Sequence, residues 1–104
     1  MAAYCPRYQR AIEMIGRRWS GAILRALITG TTHFADLART VPGMSDRLLS
    51  ERLKELEAEG LVVRTVTPST PVRIEYTLTP MGQALLTVVE SIAGWAEAYL
   101  PVPT

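Results

Sequence analysis

Between Ser45 and Glu59 the apolar positions Leu49, Leu53 and Leu56 recur at spacings of four and three, which predicts an amphipathic helix. At 100° per residue, Arg47, Ser50, Glu51 and Lys54 fall on the opposite side, with Arg52 near the edge. Ser45 suits the N-cap and Asp46 complements the positive helix end. Gly60 suits the left-handed position after the last turn, where Leu61 can close back on Leu56. Val62 to Val66 then alternates with β-branched residues and predicts a strand, paired with Arg73 to Leu78. The tip between them, Thr67-Pro68-Ser69-Thr70-Pro71, carries two prolines that stop further edge pairing.

Three shorter helices are expected before this block. Pro6 opens one that runs to about Ile15, with Ile12 and Ile15 on its apolar side and Gly16 at its end. Ser20 is expected to cap a second, in which Ile23, Leu24, Leu27 and Ile28 repeat at helical spacing until Gly30. Thr32 is expected to cap the third, His33 to Arg39, buried through Phe34, Leu37 and Ala38 and followed by the breaker Val41-Pro42-Gly43. A last helix is expected from Thr79-Pro80, where Met81, Leu85, Val88, Ile92, Trp95 and Tyr99 form a heptad seam widened by Leu86, Val89, Ala93 and Ala96.

Helix, turn, helix and β-hairpin in that order predict a mostly α fold with a small hairpin wing: a winged helix-turn-helix, which presents one helix to the major groove of DNA. Residues 1–104 are expected to form one such domain, with the helix-turn-helix at 33–59 and the wing at 62–78. The seam of the last helix either faces the core as a broad stripe or meets a second subunit. The dimer is favoured, since so small a domain has little core left to cover about five turns of helix.

Composition narrows the function classes. The chain has 104 residues, nearly half of them apolar, with no low-complexity run, so disorder is not expected. No apolar run is long enough to span a bilayer, and Cys5-Pro6-Arg7 does not read as a signal peptide, so no membrane partner and a cytoplasmic location are expected. One Cys and one His build neither an intrachain disulfide nor a structural zinc site, and His33 reads as a surface residue; neither metal nor cofactor is expected. No nucleophile–base pair or paired carboxylates can be assembled, so an enzyme is not expected. The net charge of +1 is uninformative, but its distribution is not: residues 1–30 carry five arginines against Glu13, for +4. That basic segment helps bind DNA only if it folds beside the reading helix.

Several blocks together resemble the HxlR-type family of bacterial winged-helix regulators, relatives of the MarR group. They are Cys5-Pro6, Ile15-Gly16-Arg17-Arg18-Trp19-Ser20, Leu48 to Leu56, Glu59-Gly60-Leu61-Val62, and Val72 to Thr79. The resemblance covers the chain from Cys5 to about Trp95. It implies a homodimer formed through the first and last helices (residues 5–30 and 80–100), with Ile12, Leu85, Val88, Val89, Ile92, Trp95 and Tyr99 as candidate interface residues. It also implies two reading helices in successive major grooves of a pseudo-palindromic operator and transcriptional control; a small-molecule or electrophile inducer is the candidate further partner. Some members of the family sense oxidants through the N-terminal cysteine.

The candidate DNA contacts follow from position and chemistry. Arg47, early on the exposed face, can fork onto guanine. Ser45, Asp46 and Ser50 lie at the same helix end or face, and Lys54 suits a phosphate. Thr70 at the wing tip and Arg73 at its base suit the flanking minor groove or backbone. Arg18 stands before the second helix, where the family has a basic residue; Trp19 is expected in the core. Cys5 lies ahead of a helix N-terminus with Arg7 and Arg10 nearby, a setting that favours a reactive thiolate; the alternative is an idle or buried terminal residue. A competing function is a winged-helix protein–protein contact module without a DNA role, suggested by near-neutral charge and the run Glu51, Glu55, Glu57, Glu59.

Overall fold

The computed structural model describes residues 3–103, which run through α1 (Pro6–Gly16), α2 (Ser20–Ile28), α3 (Phe34–Thr40), α4 (Asp46–Ala58), β1 (Val62–Thr67), β2 (Arg73–Leu78), α5 (Pro80–Gln83) and α6 (Leu86–Tyr99). The core is built from the repeats that predicted the helices. Ile23, Leu24 and Leu27 of α2, Leu37 of α3 and Leu49, Leu53 and Leu56 of α4 close against Leu61, Val62 and Tyr76. Neither α1 nor α6 contributes a buried residue.

Helix α4 forms as its sequence dictates. Ser45 Oγ accepts the Leu48 N–H at 3.1 Å, and Asp46 sits in the first turn. At the other end Gly60 takes φ +81°, so that its N–H reaches the Glu57 carbonyl and the Leu61 N–H reaches that of Leu56. This cap turns the chain straight into β1, which pairs antiparallel with β2 in the register Val62↔Leu78, Arg64↔Tyr76, Thr67↔Arg73. A further pairing joins the hairpin to the segment before α3: the Tyr76 N–H donates to the Thr32 carbonyl at 2.8 Å, and His33 bridges Glu75.

That pairing displaces one expected cap. The backbone stays extended through His33, which is the N-cap of α3 in place of Thr32, and no side chain caps this end. Ser20 is likewise not the cap of α2 but its first residue, fully buried. Trp19 is the N-cap, in the left-handed region at φ +77°, a conformation costly for a bulky residue and held here by its surroundings. The half-buried ring packs against the core, stands 3.5 Å from where a Gly43 Cβ would lie, and carries the Arg18 guanidinium at 5.3 Å from its centroid.

The last helix is not continuous. Thr79 caps α5, its Oγ accepting the Gly82 N–H and donating to the Gly60 carbonyl. Gly82 is pressed onto the α4–β1 corner so closely that a Cβ would stand 2.2 Å from the Leu61 carbonyl oxygen. The chain then tightens, with the Leu85 N–H donating three residues back to Gly82, before α6 begins. The heptad seam is therefore split. Met81 stays on α5, Leu85 packs at the edge of the core, and the rest follow on α6. Ile92 is 54 % and Tyr99 74 % exposed, the latter with its ring tilted against Trp95 at 5.9 Å between centroids. The Cα radius of gyration is 15.0 Å, against about 13 Å for a compact chain of this length.

Candidate nucleic-acid interface

Arg47 projects from the first turns of α4 with 89 % of its side chain exposed, its Nε 3.3 Å from Glu51 Oε1. One turn on, Ser50 and Lys54 border a groove of about 580 Å³ between α4 and the hairpin, closed by Phe34, Glu57, Arg64, Ile74 and Tyr76. Arg64 was not among the sequence candidates. Strand alternation places it on the face of Val62 and Val66, and the register with Tyr76 turns that face toward α4. The period-2 pattern carried this signal, but which face meets the helix depends on packing.

Arg73, expected at the wing base, instead pairs with Thr67 beside the tip, because the register runs from Val62↔Leu78 at the base to this last pair, and it lies on the face opposite Arg64. It therefore does not share the groove with Lys54. Thr70 is exposed in the tip. Arg18 is exposed beside Trp19, and its carbonyl accepts from Arg52 Nε at 2.9 Å, so its backbone is tied to α4. Ser45, Asp46 and Arg47 thus lie at the exposed start of α4, with Ser50, Lys54 and Arg64 along its hairpin side. Arg73 and Thr70 lie further out on the wing.

The charges sort differently from a sequence count. Arg10 and Arg17, part of the basic N-terminal segment, are engaged by Glu59 and Glu55 near the C-terminal end of α4. Glu55 also accepts from Arg52, Glu51 pairs with Arg47, and Arg39 pairs with Asp36. Among the described residues, Arg7, Arg18, Arg25, Lys54, Arg64 and Arg73 have no carboxylate within 4 Å. Four of these six, with Arg47, border α4, its start or the wing. The acid run meanwhile is mostly consumed inside the molecule, leaving Glu57 of that run without a cationic partner.

Cys5 is exposed and is the N-cap of α1, its carbonyl accepting the Gln9 N–H and its thiol free. Ile12 is exposed on α1 and Val88, Ile92, Trp95 and Tyr99 on α6, while Val89 is half-buried against α2. Among the described residues no helix is long and apolar enough to cross a membrane, and no three His, Cys, Asp or Glu side chains converge as a metal set.

Comparison with known proteins adds to this geometry. The model of the HxlR-like helix-turn-helix family matches residues 14–103. The Bacillus subtilis protein named as the uncharacterized HTH-type transcriptional regulator YvaP is 45 % identical over 96 residues, 92 % of this chain and 89 % of its own. The HTH-type transcriptional regulator YodB of B. subtilis is 41 % identical over 95 residues, 91 % of this chain and 85 % of its own. Its reduced form superposes with a TM-score of 0.82 at 39 % identity over 97 % of this chain and 99 % of that one, and it has also been solved treated with diamide and bound to quinone. The redox regulator HypR in its oxidized form superposes with a TM-score of 0.86 at 34 % identity, over 94 % of this chain and all of that one.

Proposed function

The chain belongs to the HxlR-like helix-turn-helix family, and from that premise we propose a homodimeric regulator that reads a pseudo-palindromic DNA operator in the cytoplasm, switched by thiol modification at Cys5 or by a small ligand. Its relatives are transcriptional regulators and not enzymes. The carrying observation is the start of α4. It is exposed and capped, and its Arg47 projects on the same side as Lys54 and Arg64, which no carboxylate neutralises, while Glu55 and Glu59 at the other end of the helix turn to internal pairs.

In this reading Arg47 forks onto a guanine edge, and Ser45 and Ser50 bond base edges or phosphate near Asp46. Lys54 and Arg64 hold backbone phosphates, Arg73 and Thr70 follow the flanking groove, and Arg18 adds a phosphate contact. The uncovered apolar residues of α1 and α6, Ile12, Val88, Ile92, Trp95 and Tyr99, with Leu85 and Val89 at their margin, support a dimer through these helices. A protein-contact module, suggested by near-neutral charge and the glutamate run, is less favoured, because Glu51, Glu55 and Glu59 of that run are paired within the chain.

The switch rests on an exposed thiol at a helix start, and the oxidized, diamide-treated and quinone-bound structures of the relatives support it. With one cysteine per chain, oxidation yields a Cys5–Cys5 bridge between protomers or a mixed disulfide with a small thiol. The test is binding of the purified protein to its own upstream DNA at fixed salt, reduced and after diamide. The wild type is expected to lose affinity by about tenfold or more on oxidation, and Cys5→Ser to bind equally in both states. A Cys5→Ser variant that responds like the wild type, or a wild type that does not respond, contradicts the switch.

A further inference from the structure

Glu59 occupies a position unfavourable for a carboxylate on two counts. It is the C-cap of α4, at the negative end of the helix dipole, and its side chain is only 9 % exposed. Its Oε2 accepts from Arg10 at 3.2 Å and lies 3.6 Å from Arg17, while Oε1 is buried without a hydrogen-bond partner. Burial of an ion pair adds little stability, since desolvation offsets the attraction; what such a pair supplies is a defined geometry. Arg17 continues to Glu55 at 2.6 Å, and Glu55 accepts from Arg52, which holds the Arg18 carbonyl.

The last turns of α4 are thereby gripped by α1 and by the connection that follows it. α1 itself has no buried residue; Met14 and Ile15 are its half-buried contacts with the core. Apolar contact alone lets a helix slide or rotate. Arg17, with one nitrogen on Glu55 and the other 3.6 Å from Glu59, and Arg10 on Glu59 instead hold two carboxylates of α4 from two points of the N-terminal segment, and so constrain direction as well as distance.

We propose that Glu59, held by Arg10 and Arg17, is a positioning residue that locks the C-terminal end of the reading helix α4 to α1. Because α1 also carries Cys5 and Ile12, this link transmits a rearrangement of α1 to the DNA-reading face, a consequence that rests on the function proposed above.

Two measurements test it. Nitroxide labels on Gln9→Cys, exposed on α1, and on Lys54→Cys, in a Cys5→Ser background and in protomers diluted with unlabelled protein, report the α1–α4 distance by double electron–electron resonance. A narrow distribution is expected in the otherwise native protein. Glu59→Gln is expected to broaden or displace it, and Arg10→Gln, at an exposed position that does not endanger folding, to do so in the same direction. Unchanged distributions in both variants, with melting temperatures showing them folded, overturn the proposal.

The second measurement is operator affinity before and after diamide. Glu59→Gln is expected to keep the reduced-state affinity within about threefold yet to shrink the reduced-to-oxidized ratio by about tenfold. A merely structural role would weaken both states alike and leave the ratio intact, which counts against transmission. A wild type that binds DNA but ignores diamide defeats the Cys5 reading, and the label distances still decide the role of Glu59.

Discussion

Arg47→Ala is expected to reduce specific operator binding by at least about 30-fold. A bidentate arginine–guanine contact discriminates by about 1–3 kcal/mol, and a dimer loses it in both half-sites, so about 2–6 kcal/mol is at stake. Binding to unrelated DNA, which depends on phosphate contacts, should change far less. The fold should be indifferent to the change, because the Arg47–Glu51 pair is an exposed i,i+4 contact with little effect on stability. Titration of upstream and unrelated DNA by both proteins at one salt concentration separates these effects. Unchanged discrimination in Arg47→Ala would show that α4 does not read bases through this residue.

The second large effect is expected far from any charge. Gly82→Ala should lower stability by about 3 kcal/mol or more, the upper range for overpacking, because the obstacle is backbone rather than a movable side chain. The new Cβ would meet the Leu61 carbonyl oxygen at 2.2 Å and Leu78 Cδ2 at 3.0 Å. Leu61 cannot give way cheaply. Its N–H caps α4 through Leu56, its carbonyl accepts the Thr79 N–H, and its side chain is buried. For a chain of this size the melting temperature should fall by roughly 12 °C or more, measured by calorimetry or circular dichroism. A fall of only a few degrees would mean that α5 can lift off the corner without disturbing the cap of α4.

What was legible in the sequence was local. The leucine stripe of α4, Ser45 at its start and Gly60 at its end lie within one stretch of chain, and all three behave as their chemistry dictates. The hairpin followed from β-branched alternation in the same way. The errors come from partners distant in sequence. Ser20 and Thr32 are good capping residues, yet the strained Trp19 and the pairing of Thr32 with Tyr76 assign those ends differently. The unbroken seam from Met81 to Tyr99 concealed the turn imposed where Gly82 meets Leu61.

The candidate site divides along the same line. Arg47, Ser50 and Lys54 could be placed by helical angle alone. Arg64 could not, since its face is set by hairpin register against a helix that precedes it. The basic N-terminal segment was the least legible: it does fold beside α4, but Arg10 and Arg17, free in a charge count, meet Glu59 and Glu55, 49 and 38 residues away. A pattern search within one helix has no access to that pairing.

Hydroxyl-radical footprinting of the purified protein on its own upstream DNA tests the central claim most directly. Two reading helices related by dimer symmetry should protect two half-sites whose centres lie about 10 base pairs, or a multiple of that, apart. Both half-sites should fade together in Arg47→Ala. A single protected half-site, or uniform protection without sequence preference, would contradict a homodimer that reads a pseudo-palindromic operator through α4.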